Sequence, residues 1–202
     1  MWRGHLKSLL PRQPKLKRGH HKALPYEDVP AFMERLRGQP GMAARALEFT
    51  ILTAARTDEV LGATLAGIDP GRAVWAIPAD HMKAGIEHCI PLTDAALAVL
   101  KGIRRQEQHR LGFPGGKPGQ PLSNMAMATV LRRMQVDATV YGFRSSFRDW
   151  AAEATSFSRE VCEQALAHAI PDKAEAAYRR GDLFNKRRRL MTAWARYCRS
   201  LG

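Results

Sequence analysis

Residues 137–180, DATVYGFRSSFRDWAAEATSFSREVCEQALAHAIPDKAEAAYRR, constrain the fold of this chain more than any other stretch. They read as a run of short helices. Phe143, Phe147 and Trp150 recur at helical spacing over 142–153, and Ser158 is placed to cap a helix carrying Val161, Ala165 and Leu166. Ile170-Pro171-Asp172 breaks that helix, and 173–180 form one more short helix. The run carries Tyr141, Arg144, His168 and Tyr178. A guanidinium and an imidazole both donate hydrogen bonds, the guanidinium bidentately, which suits them to holding a phosphate. A phenol is a nucleophile only where a neighbour stabilises its oxyanion. Together these groups make a site that could attack a phosphodiester and keep it as a phosphotyrosine.

The rest of the chain must supply the body on which those helices pack. Residues 1–24 include Pro11, Pro14 and the polar, basic run PRQPKLKRGHHK, and are expected to be a linker left from a missing preceding domain. Residues 25–202 are expected to form one domain. Glu27 and Asp28 start a helix with Val29, Phe32, Met33 and Leu36 on one face. The segment MAARALEFTILTAARTDEVLGA holds a second helix and, at Thr57-Asp58-Glu59, the start of a third, with Arg56 at the junction. AVWAI at 73–77 and HCIPL at 88–92 read as strands, with Lys83 in or beside their connecting turn. A helix is predicted from Asp94 to about Leu111, then a turn-rich loop, GFPGGKPGQP. Ser123 and Asn124 are placed to cap a helix reaching about Met134, and a last helix spans Leu183 to Tyr197. The expected fold is mainly α, with a small antiparallel β-hairpin or three-stranded sheet.

Charge narrows the partner. Thirty-two Lys and Arg against nineteen Asp and Glu give a formal charge of +13, the footprint of a polyanion binder, with nucleic acid the first candidate. Cys89, Cys162 and Cys198 are odd in number and lack CxxC spacing, so neither a disulfide framework nor a zinc site is suggested, and a reducing cytoplasm fits. No apolar stretch is long enough for a bilayer, which with the absent signal-peptide pattern reads as a soluble, cytoplasmic protein with no membrane partner. Phosphate-cradling glycine loops, HExxH and paired-carboxylate metal sites are missing too, so no metal and no cofactor is expected.

ALEFTILTAARTDEVLGA, YGFRSSFRDWAAE, ALAHAIPDKAEAAYRRGDLF and RRRLMTAWARY resemble, in order, the boxes of the tyrosine recombinase family, in particular the catalytic domains of phage and genomic-island integrases. The resemblance covers roughly residues 23–200. It implies site-specific recombination or integration of double-stranded DNA through a 3′-phosphotyrosine. Arg56, Arg144 and His168 would hold the phosphate, with Glu59 supporting Arg56 and Tyr178 as nucleophile. Lys83 would protonate the departing 5′ oxygen. Tyr141 stands where the family commonly has His, which implies slower cleavage, because a phenol is a poor base at neutral pH. Arg179, Arg180, Lys186 and Arg187 are expected at the DNA, and Arg148 reads as a DNA-backbone or salt-bridge residue.

The resemblance also implies a homotetramer on DNA, a monomer alone, and a C-terminal helix that packs on a neighbouring subunit. That helix equally suits packing on the chain's own core. Two other functions stay open: a truncated DNA-binding module without catalysis, and a nicking and closing activity like that of type IB topoisomerases.

Overall fold

A computed structural model describes residues 21–82, 84–104, 110–168 and 183–200. A single 3-10 turn at Tyr26–Asp28 leads into α1, Val29–Arg37, which buries Val29, Phe32, Met33 and Leu36 as their spacing predicts. The helix at the centre is α2, Met42–Thr53, in which every residue from Ala46 to Thr53 is buried. A sequence apolar on nearly all faces has no solvent side, so other elements must surround it. Among those packed on it are α1, then α3 (Thr57–Leu61), α4 (Asp94–Arg104), α5 (Ala126–Arg133) and α8 (Phe184–Tyr197).

Three short strands, β1 (Ile68–Asp69), β2 (Val74–Ile77) and β3 (His88–Pro91), form an antiparallel sheet in the order β1-β2-β3. Trp75 pairs with Ile68 on one side and Ile90 on the other, and these three, with Ile77, point into the core. Trp75 meets Phe49 of α2 at 5.4 Å between ring centroids. The fold is thus mainly helical with a small three-stranded sheet, as expected.

Two local expectations are corrected. The helix predicted to reach about Leu111 is described only to Arg104, and Leu111 instead forms an antiparallel bridge with Thr64. Leu65 N–H donates to Arg110 at 2.9 Å and Gly112 N–H to Ala63 at 2.7 Å, which seats Phe113, fully buried, against Phe49. Next, α5 begins at Ala126 without a side-chain cap, and it is the backbone carbonyl of Ser123 that accepts from Ala126 N–H at 2.9 Å.

Helices α6 (Gly142–Glu153) and α7 (Arg159–Ala165) complete the body. Phe147 and Trp150 of α6 pack on Trp194 of α8, whose indole N–H donates to the Ile51 carbonyl at 2.8 Å. Leu190, Met191 and Trp194 are all buried. Of the two roles open to the C-terminal helix, its apolar face therefore takes the second: it fills the chain's own core.

Residues 21–24, which composition assigns to the linker, lie against the body. Thr139 donates from its N–H and its hydroxyl to the Lys22 carbonyl, at 2.9 and 3.2 Å, and the Ser146 hydroxyl donates to Leu24. This strap runs so close to the start of α6 that a Cβ on Gly142 would lie 2.1 Å from the Lys22 oxygen, so only glycine fits there.

Candidate active site

The last carbonyls of a helix lack intrahelical partners and carry its negative end. Two such ends meet. After α2 the chain turns at Ala54 (φ 51°), and after α7 at Ala167 (φ 48°), both in the left-handed region. Arg144, on the first turn of α6 and 5% exposed, donates to both ends: Nη1 to the Ala54 carbonyl and Nη2 to the Leu166 carbonyl at 2.6 Å. Arg56 Nη2 donates to the Ala167 carbonyl at 3.0 Å and reaches Leu166 at 3.5 Å. The two guanidiniums therefore share one acceptor, although 88 residues separate them in the chain.

Glu59 fixes Arg56 twice. Its Oε1 takes the Nη1 hydrogen bond at 2.6 Å and its Oε2 takes the Arg56 backbone N–H at 2.7 Å, which makes the acid at the third position of α3 both counter-ion and cap. One buried carboxylate thus faces two cations. Burial first, and then the charge of Arg56, push the Arg144 pKa down from its ordinary value, with Glu59 and Tyr141 opposing. A guanidinium stays protonated all the same, so its charge is held at a cost that an anion would relieve. Arg144 Nε has no hydrogen-bond partner among the described residues.

His168 follows immediately. Its Nδ1 lies 2.5 Å from Glu163 Oε2, and the other oxygen of that carboxylate is 3.0 Å from Arg148 Nε. Burial alone would raise the Glu163 pKa; the His168 hydrogen bond and the charges of Arg148, His168 and Arg159 outweigh it and hold the group below its usual 4.5. Sequence reasoning misses Glu163. Arg148 thus makes an ion pair, one of the two roles read for it, and its side chain is half exposed. Tyr141 sits at the site's rim, 44% exposed, with its ring 5.8 Å from the Arg144 guanidinium carbon and 4.6 Å from the His21 ring.

Of the residues expected at DNA, Lys186 is exposed. Arg187 is a correction: it is 1% exposed, and its Nη1 donates to the Cys89 carbonyl at 2.7 Å, joining α8 to β3. It shares the inward face of α8 with Leu190, Met191 and Trp194, and so is turned away from solvent. Arg187→Met should therefore lower the denaturation midpoint while leaving the salt dependence of DNA retention unchanged. A loss of one phosphate contact from that salt slope, at unchanged stability, would restore the original assignment. Lys83, Tyr178, Arg179 and Arg180 lie outside the described residues. Among the described residues, no helix is long and apolar enough to cross a membrane, and no three or more His, Cys, Asp or Glu are grouped to hold a metal ion.

No family model matches the chain. Prophage integrase IntA of Escherichia coli (strain K12) is 32% identical over 175 residues, which cover 84% of this chain and 42% of that protein. The integrase of Enterobacteria phage P4 is 28% identical over 199 residues, covering 88% and 45%. The chain thus spans less than half the length of either relative. Among solved structures, an integrase from mycobacterium phage Brujita superposes with a TM-score of 0.64 at 14% identity, covering 90% of this chain and 60% of that one. A lambda integrase fragment, solved as a dimer bound to a COC′ core site, gives 0.58 at 15% identity, covering 82% and 63%. Along most of its own length the chain is thus similar in sequence to prophage and phage integrases, and its backbone has the fold of the phage enzymes.

Proposed function

We propose that the chain is the catalytic part of a site-specific recombinase that integrates or excises a prophage or genomic island. The observation that carries this reading is the convergence of Arg56 and Arg144 on the Leu166 carbonyl, two residues before His168. Cations fixed before substrate arrives stabilise the charge that develops on a pentavalent phosphorane without reorganising. In the proposed step the Tyr178 phenol gives up its proton to solvent as its oxygen bonds to phosphorus, the bond from phosphorus to the 5′ oxygen breaks, and that oxygen takes a proton from Lys83. The 3′-phosphotyrosine conserves the ester bond energy, so a 5′-hydroxyl from another strand reverses the step without ATP or a metal. Tyr141, a weak base at neutral pH, slows the reaction.

Double-stranded DNA is the proposed partner, with Arg179, Arg180 and Lys186 on its backbone, and a homotetramer is the proposed working assembly. The lambda enzyme, solved as a tetramer bound to a Holliday junction, supports both. The proposed place of action is the cytoplasm.

A nicked suicide duplex tests the reading, because loss of the short 5′ fragment traps the covalent product. Expected is a denaturant-resistant protein–DNA band whose DNA-bearing peptide contains residue 178. Retardation of the duplex with no covalent band would instead identify a DNA-binding module, and relaxation of supercoiled plasmid by monomers would point to a nicking and closing enzyme.

A further inference from the structure

We infer that Glu163 is the positioning residue for His168, built into the turn that ends α7; this rests on reading His168 as a phosphate ligand. Residues five apart on a continuous helix do not face each other, since neighbours on one face are three or four apart. The pair meets because α7 ends in a Schellman motif: His168 N–H donates to the Glu163 carbonyl at 3.0 Å and Ala167 N–H to the Gln164 carbonyl at 3.1 Å. Ala167 occupies the left-handed position, at φ 48°. That motif brings the second residue past the cap back over the third residue before it, a contact that is commonly apolar. Here the contact is a carboxylate on an imidazole at 2.5 Å.

The same turn serves the arginines. Its outward carbonyls, Leu166 and Ala167, are the ones that Arg144 and Arg56 occupy. One backbone motif therefore sets both guanidiniums and the imidazole in register. With Nδ1–H donated to Glu163, Nε2 is the ring nitrogen left to face a phosphate oxygen, to which it donates when the ring carries both protons, and the ring cannot turn over without losing its partner. Arg148, at 3.0 Å from the second carboxylate oxygen, keeps that carboxylate from rotating away.

The test is nitrogen-15 NMR of the His168 ring in the full chain, beside single-turnover trapping on the nicked duplex. In the wild-type protein Nδ1 should carry the proton, and an Nε2–H neutral ring there would overturn the proposal outright. Glu163→Leu should release the ring to the Nε2–H form and slow covalent trapping by about ten- to a hundred-fold, the usual effect of losing a histidine's orienting partner. DNA affinity should change less than twofold. An unchanged tautomer in a folded Glu163→Leu protein, or unchanged trapping, would sink the idea. Should the wild type form no adduct at all, the proposed function fails, while the ring tautomer still tells whether Glu163 holds His168.

Discussion

Arg144→Ala should slow covalent trapping of DNA by about 10²–10³-fold, the scale seen when one preorganised donor to a developing oxyanion is removed. It should also cost stability, because the change removes the Arg144 donor from the Ala54 carbonyl and leaves the Leu166 carbonyl only the longer 3.5 Å contact from Arg56. Unsatisfied buried acceptors cost about 1–3 kcal/mol each, and relief of the buried charge offsets part of that sum. The direction of the Arg144 shift supports the offset. A cation whose pKa is pushed down on folding resists folding at every pH where it stays charged, which for a guanidinium is the whole working range. A net loss of about 2–4 kcal/mol is therefore expected from urea denaturation. Arg144→Lys separates the two effects: an ammonium keeps the charge and can satisfy one carbonyl, but it has no fork, so stability should recover partly while trapping stays slow. If Arg144→Lys trapped DNA at the wild-type rate, the two-ended clamp would not be what the reaction uses.

Trp194→Ala should be the most damaging core change. The side chain is fully buried, packs on Phe147 and Trp150, and spends its N–H on the Ile51 carbonyl of the central helix. Truncating a buried tryptophan costs about 3–5 kcal/mol in lost transfer energy and cavity. For a domain of this size that lowers the melting midpoint on the order of 10 °C. Trp194→Phe keeps most of the volume and loses the hydrogen bond, so it should cost about 1–2 kcal/mol. Calorimetry on the three proteins measures both. A cost for the alanine variant under about 1 kcal/mol, with a change of oligomeric state, would mean that in solution α8 packs on a neighbour instead of on its own chain.

Much of this architecture is legible locally. The bounds of α6 are read correctly because Gly142 opens it and Phe143, Phe147 and Trp150 hold one face. Arg56 is legible as a junction residue because Thr57-Asp58-Glu59 is a helix start. What fails is whatever depends on distant chain. The end of α4 is missed because Leu111 extends an apolar pattern, while its place is decided by pairing with Thr64. Glu163 is missed because its meeting with His168 needs a left-handed alanine, which propensity does not foretell. Arg187 is different: its signal is present. It lies three, four and seven residues before Leu190, Met191 and Trp194, one helical stripe, but the basic residues on either side of it hide that face.

The guanidiniums proposed to meet a phosphate are also the plugs of two helix ends, and that has a consequence for how such a gene decays. A copy that no longer moves DNA is free to drift at its nucleophile, yet selection for a foldable product still guards Arg144, and through the common carbonyl it guards Arg56. Defunct relatives should lose residue 178 early and the buried pair late. Two intact arginines in a degraded island therefore testify to a chain that folds, and say little about whether it still cuts.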